Sequence, residues 1–332
     1  MTPIKCLKVK NILISLLFYS ISPVLLSHPK LNAENWMRNL FHKLPETRIR
    51  DVLIPGTHKS GSYNILKTSP LAPNSNKLLL LNKRMTSSWA KTQNLSILEQ
   101  LQKGIRYIEL NLVGHQGEIF LANDLISCNL NDVLKDLRSW AATHPYEIVL
   151  INANFAFQTL SEAKELHRKF SRYLGLFLAF PLLPPNLLTF GDLWNNEKGR
   201  PLILFTPPSF KKFSPRYWDK KKMLQFSKTN AQNINVLSEQ ILYGSTKGPG
   251  LYRQDWSKFY ISEFIFKPNK KSIFKSLFEN QNPKGLYKFS KPLFEAPYKA
   301  VKSWLQKDLP VNIIKVDFFE KTNLVTTCLE AN

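Results

Sequence analysis

The stretch Asp51-Val-Leu-Ile-Pro-Gly-Thr-His58-Lys59-Ser-Gly-Ser62 is a short apolar run that breaks at Pro55-Gly56 and delivers a histidine just beyond it. A neutral imidazole can take a proton from a hydroxyl near pH 7, which makes His58 a candidate general base. A single histidine more often serves structure, so its neighbours decide. Lys59 could meet a phosphate as a point charge, or it could be a solvated loop lysine. In Glu109-Leu110-Asn111 the two polar residues are two apart, so on a strand they face the same side and can look into one cavity. Asn152 and Asn154 repeat that spacing. Asn123 closes Glu118-Ile-Phe-Leu-Ala-Asn123; it offers hydrogen bonds but no transferable proton. Its neighbour Asp124 would share that face only after a one-residue slip in register. Asp317 follows the apolar run 311–316, where the plain reading is a cap or surface acid in the next turn. His115, in Gly114-His-Gln-Gly117, has the setting of a hairpin turn away from His58.

Such side chains need strands to hold them. Apolar, β-rich runs lie at 52–55, 107–113, 118–122, 148–152, 202–205, 259–266 and 311–316. Helical patterns lie between many of them, at 96–103, 130–143 after the possible cap Asn129, 160–174, 231–242, 270–279 and 297–306. This alternation predicts an α/β fold with a mainly parallel sheet, open or closed into a barrel whose chemistry gathers at the C-terminal strand ends. No repeat and no linker divides residues 30–332, which predicts one domain.

Of 332 residues 43% are hydrophobic, enough for a large core and too many for a disordered chain. A formal net charge of +22 predicts anionic partners. Residues 208–307 hold 20 Lys and Arg against 6 Asp and Glu, interleaved with Phe210, Phe213, Tyr217, Trp218, Phe259 and Tyr260. That mixture suits an anionic membrane interface, with Lys220, Lys221 and Lys222 as docking charges; no nucleic-acid-binding signature accompanies it. Lys5, Lys8 and Lys10 precede an apolar run at 12–26 that Ser15, Ser20, Ser22 and Pro23 interrupt. This predicts a secretory signal peptide over 1–27 and a secreted or periplasmic monomer, with an uncleaved anchor or first helix as the alternative. Three cysteines fit no zinc spacing; Cys128 and Cys328 could pair in an oxidising compartment.

Trp36-Met37, residues 52–62, Thr92-Gln93, Gln100-Leu101, the run 104–112 and the stretch 118–155 with its phrase His144-Pro-Tyr-Glu-Ile-Val-Leu together resemble the X domain of phosphatidylinositol-specific phospholipase C. The resemblance returns at Val311-Asn-Ile-Ile-Lys-Val-Asp317-Phe-Phe and is loose over 207–310. It implies a bacterial-type member: a single distorted TIM (β/α) barrel that cleaves inositol phospholipids. One histidine takes the inositol 2-hydroxyl proton, a second protonates the departing diacylglycerol oxygen, and an arginine or a calcium ion stabilises the phosphate. By that likeness His58 is the general base and Asp317 the aspartate that orients it.

Other positions depart from the family pattern. Lys59 stands where bacterial members have aspartate, Asn111 where they have the phosphate-binding arginine, and Asn123 where the second histidine falls. Two expectations follow. One is a phosphodiesterase, possessing full or impaired activity, with catalytic positions His58, Asp317, Glu109 and Asn123 and substrate contacts from Lys59, Asn111 and Asn154. The other is an inactive relative that binds inositol lipid or anionic membrane through the old pocket. No cofactor is expected; calcium is the option, through Glu109 and Asn111 with Asn152 or Asn154, and Lys59 would oppose it. The asparagines could equally form a satisfied network that fills the barrel mouth.

Overall fold

Residues two apart on a strand share a face, and in this chain the two faces of each central strand bury different apolar sets. Tyr107, Leu150, Ile203, Ile261 and Ile313 meet on one side of the sheet with Ile54, Phe205, Trp218 and Phe259. Ile108, Leu110, Ile151, Leu204, Ile314 and Val316 meet helices on the other. A strand buried on both faces is what a parallel sheet covered by helices requires. The runs are mainly apolar for that reason.

In a computed structural model of the chain, the described residues are 32–73, 75, 83–155, 159–194, 199–226, 257–265, 285–306 and 311–332. The expected signal segment 1–27 and the helices at 231–242 and 270–279 lie outside them. The unit Ala33–Asn332 contains α1 (Trp36–Phe41), β1 (Ile54–Thr57), α2 (Lys83–Ala90), α3 (Ile97–Gln102), β2 (Tyr107–His115), β3 (Glu118–Asn123), β4 (Leu125–Asn129) and α4 (Leu130–Thr143). It continues through β5 (Val149–Phe155), α5 (Leu160–Leu174), α6 (Phe190–Trp194), β6 (Leu202–Thr206), β7 (Trp218–Asp219), β8 (Met223–Phe226) and β9 (Phe259–Phe264). It ends with α7 (Leu286–Ser290), α8 (Ala296–Gln306), β10 (Ile313–Val316) and α9 (Leu324–Ala331).

The strands run β7-β6-β5-β2-β1-β10-β9-β8, parallel throughout, and β2 also carries the antiparallel ribbon β3-β4. The sheet curls toward a barrel. Phe205 near one end meets Phe259 near the other with ring centroids 5.8 Å apart, and Trp218 lies 5.8 Å from Phe205. Among the described strands no ladder joins β7 to β8; the chain spans that seam with the single turn Lys220–Lys222.

Local chemistry places the helices. Asn129 caps α4 by accepting the Asn131 N–H, and Leu130, Val133, Leu134, Leu137, Trp140 and Ala141 make its buried stripe. Ser96 with Glu99, and Thr159 with Glu162, form capping boxes at α3 and α5. Under the barrel, the buried Arg106 guanidinium bonds Glu147 at 2.6 and 2.9 Å, and the carboxylate also accepts the Met37 and Arg38 amides. This explains the phrase around Glu147 and the Trp36-Met37 pair: they are the barrel floor.

Three expectations change here. Phe210, Tyr217, Trp218, Phe259 and Tyr260 are all buried, so these aromatics are core and do not insert into lipid. Cys128 and Cys328 are free, buried thiols on β4 and α9. Asp124 is an exposed turn residue at φ 57° between β3 and β4, which removes it as an acid on the face of Asn123. Among the described residues no helix is long and apolar enough to cross a membrane.

Candidate active site

Beyond the apolar floor, the interior positions of the strands turn polar at their C-terminal ends. His58 follows β1, Glu109 and Asn111 lie on β2, Asn123 ends β3, Asn152 and Asn154 lie on β5, Glu263 on β9, and Lys315 and Asp317 on and after β10. That is the end where barrels of this kind carry their chemistry. The sequence-derived candidates Glu109, Asn111 and Asn154 stand within one hydrogen-bonded group, and His58 and Asp317 within another.

His58 is buried, and its Nδ1 lies 2.9 Å from Asp317 Oδ1. The backbone around it is pinned from several sides. Its N–H bonds the Val316 carbonyl, and its own carbonyl accepts Thr92 Oγ1 and Gln93 Nε2. Thr57 donates to Gln100 Oε1, and the Gln100 amide reaches the Ser60 carbonyl. A Cβ on Gly61 would fall 1.9 Å from Leu121 Cδ2, so only glycine allows the loop this close to β3. Thr92, Gln93 and Gln100 are therefore supports of the His58 loop.

Opposing electrostatic effects meet at Asp317. Burial pushes its carboxyl well above the usual carboxylate range; Lys59 and then Lys315 pull it back, while Glu263 and Glu109 push it further up. Its Oδ1 faces His58, and its buried Oδ2 has no hydrogen-bond partner among the described residues.

Lys315, between Ile314 and Val316, points inward and bonds Glu109 at 2.6 Å and Glu263 at 2.5 Å. Burial disfavours the Lys315 ammonium, but Glu109, Tyr107 and Glu263 outweigh it and hold its pKa above the ordinary lysine value. This buried Glu-Lys-Glu triad could not be read from one strand at a time, because Lys315 and Glu263 are partners in the β10-β9 register. Its signal was a lone charge inside each of two otherwise apolar runs. The triad also bears on calcium: the carboxylate of Glu109 already accepts an ammonium, and a dication beside Lys315 would be repelled. The donor set fits a lysine and does not fit calcium.

Two asparagines hold two further lysines. Asn123 donates Nδ2 to the Ala90 carbonyl; since that carbonyl can only accept, Oδ1 faces outward and takes a hydrogen bond from Lys59 Nζ. On the other side, Asn154 donates to Asn111 Oδ1 at 2.9 Å and to Glu109 Oε1 at 3.2 Å, while its Oδ1 accepts from Lys220 Nζ. Burial lowers the Lys220 pKa, Glu109 partly restores it and Lys315 lowers it again. Lys220 is therefore a half-buried residue of the mouth, which corrects its reading as a docking charge; Lys221 is exposed. Asn152 turns its amide to the Tyr107 hydroxyl at 2.9 Å and leaves Oδ1 without a partner among the described residues. His115 pairs with Glu118 across the Gln116-Gly117 turn, away from this cluster.

No family model matches the chain. Among individual proteins it is similar to PI-PLC X domain-containing protein 2 of Mus musculus, 28% identical over 315 residues that cover 90% of this chain and 87% of that protein. It is similar to PI-PLC X domain-containing protein 3 of Homo sapiens at 22% identity, covering 91% of this chain and 94% of the other. Among solved structures, phosphatidylinositol-specific phospholipase C from Listeria monocytogenes superimposes with a TM-score of 0.64 at 16% identity, over 91% of this chain and 99% of that one.

Proposed function

The chain belongs to the PI-PLC X-domain family, and from that premise we propose that it is a phosphodiesterase acting on inositol phospholipids, with His58 as general base. The observation that carries this reading is the buried His58-Asp317 pair at the C-terminal end of the barrel. With Nδ1–H donated to Asp317, Nε2 is the basic nitrogen, and it takes the proton of the inositol 2-hydroxyl as that oxygen attacks phosphorus. Lys220, held by Asn154, supplies the positive charge that Asn111 does not. As a point charge it meets a phosphate oxygen without a bidentate fork. Glu109 acts at one remove, by fixing Lys315 and Asn154. The protein works as a monomer at an anionic membrane surface, and loss of residues 1–27 on secretion leaves this site whole.

The test is release of the water-soluble headgroup from phosphatidylinositol vesicles, with and without a calcium chelator, beside His58→Ala. Removal of the base lowers the rate by about 10²–10⁴ while the unfolding midpoint stays in place, and chelation changes nothing. A second reading, a binder without catalysis, draws on Asn123, which cannot transfer a proton. Equal background rates for both proteins, with intact vesicle binding, would select it.

A further inference from the structure

We infer that Lys59 is the general acid of this site, with Asn123 as the residue that positions it. The inference rests on the phosphodiesterase reading and completes it. A cleaved phosphate ester expels an alkoxide, and a site with one base and no acid leaves that charge unprotonated. The family's second histidine falls on Asn123, whose own amide has no proton to give. Yet the atom held at Asn123 Oδ1 is an ammonium nitrogen, and an ammonium keeps two further N–H groups when one is used.

Four observations carry the assignment. Lys59 is the residue next to the base, with its backbone at φ 42°, ψ 54°, a left-handed conformation that a lysine rarely adopts. That turn is held: the Lys59 carbonyl accepts the Ser62 N–H and Thr92 Oγ1. The Ala90 carbonyl fixes which end of the Asn123 amide faces the lysine, so the acceptor is oriented before any substrate arrives. Finally, no carboxylate among the described residues pairs with Lys59, whereas Lys315 is bonded to two. Lys59 can therefore release its proton without breaking an ion pair. It also lies close enough to the dyad to be the leading charge that opposes burial at Asp317.

The step balances as follows. The inositol O2–H proton passes to His58 Nε2, and O2 forms a bond to phosphorus. The bond from phosphorus to the diacylglycerol oxygen breaks with its electron pair on that oxygen, which takes a proton from Lys59 Nζ. The products are a cyclic inositol phosphate and diacylglycerol, with His58 protonated and Lys59 neutral. Water opening the cyclic ester reverses the roles: the neutral amine accepts the water proton, and His58 returns its own to O2.

Lys59→Met and Lys59→Arg, both checked for an unchanged unfolding midpoint, separate proton donation from charge. The substrates are phosphatidylinositol, whose leaving group is an alkoxide, and a nitrophenyl ester of inositol phosphate, whose leaving group needs no proton. The methionine variant loses about 10²–10⁴ in rate on the lipid and less than about tenfold on the aryl ester. The arginine variant keeps the charge but does not give up its proton, so it shows the same split. Asn123→Ala moves both substrates in the same direction as the lysine variants, by smaller factors. Equal losses on both esters, or an arginine variant as fast on lipid as the parent, would overturn the assignment while leaving His58 as base. A parent protein that cleaves neither ester would overturn the phosphodiesterase reading together with it.

Discussion

The barrel floor and the barrel mouth both bury charge, and they differ in how completely that charge is satisfied. At the floor, the guanidinium of Arg106 spends every N–H: Glu147 takes Nε and one Nη2 proton, the Leu101 and Ile105 carbonyls take Nη1, and the Glu34 carbonyl takes the rest of Nη2. Glu147 returns the favour by holding the amides of α1. At the mouth, Asp317 Oδ2 and Asn152 Oδ1 are buried and have no partner among the described residues, and Lys59 and Lys220 lean on neutral asparagines instead of carboxylates. Unpaired buried atoms also occur elsewhere among the described residues, at Trp140 Nε1 and Asn312 Oδ1 for example; those at the mouth differ in standing beside His58 and Glu109, where a ligand can complete their hydrogen bonds. A saturated network specifies a fold. An unsaturated one keeps capacity for a substrate.

The largest effect expected from that contrast is at Asp317. Asp317→Asn keeps an oxygen for His58 Nδ1 but loses the charge that stabilises an imidazolium, and the cleavage rate falls by about 10⁴. The same change stabilises the fold. A carboxyl whose pKa is raised on folding favours the folded state at low pH, and that contribution disappears as pH rises through its folded value. The variant's advantage in urea unfolding is therefore small near pH 4 and grows as pH increases. A variant less stable than the parent at neutral pH would mean that Asp317 belongs with the floor. The next effect runs the other way. Glu147→Ala strands the buried Arg106 charge and costs about 3–5 kcal/mol in stability, with any surviving folded fraction cleaving at the normal rate per molecule.

Much of this architecture was legible in advance. The helix at 130–143 was marked by its helical pattern and the possible cap Asn129, that at 160–174 by its pattern without a cap, and the strands by their apolar, β-rich runs. His58 and Asp317 stood out because each follows such a run. What escaped was set by register and by short elements. The partnership of Lys315 with Glu109 and Glu263 depends on which strands lie beside β10, and a strand's own pattern does not contain its neighbours. β7 has two residues and β8 four, too few for any period to appear, so Lys220–Lys222 read as docking charges for an anionic membrane. The aromatics of 210–260 read as interfacial for the same reason: alternation tells which residues share a face, not whether that face meets lipid or core.

Lys220 gives the smallest expected effect and the finest test of the difference between floor and mouth. If its role is to meet an anionic group, its half-buried charge should weigh against the fold and favour the ligand. Burial lowers its pKa, so the charged form is less comfortable in the folded protein than in the unfolded chain. For such a base, stability is lowest below the folded pKa and recovers as pH rises toward the ordinary lysine value near 10.5. Lys220→Met should thus leave stability unchanged or slightly higher at neutral pH, with the difference closing in alkaline buffer. Binding of inositol phosphate, followed by calorimetry, should weaken about tenfold, the loss of one charge-assisted hydrogen bond. Lys221→Met, one residue along and exposed, is the control and should change neither quantity. If Lys220→Met instead destabilised the fold and left inositol phosphate binding intact, the lysine would be a strut across the β7-β8 seam, and the mouth would be one charge closer to the floor in character than its unpaired atoms indicate.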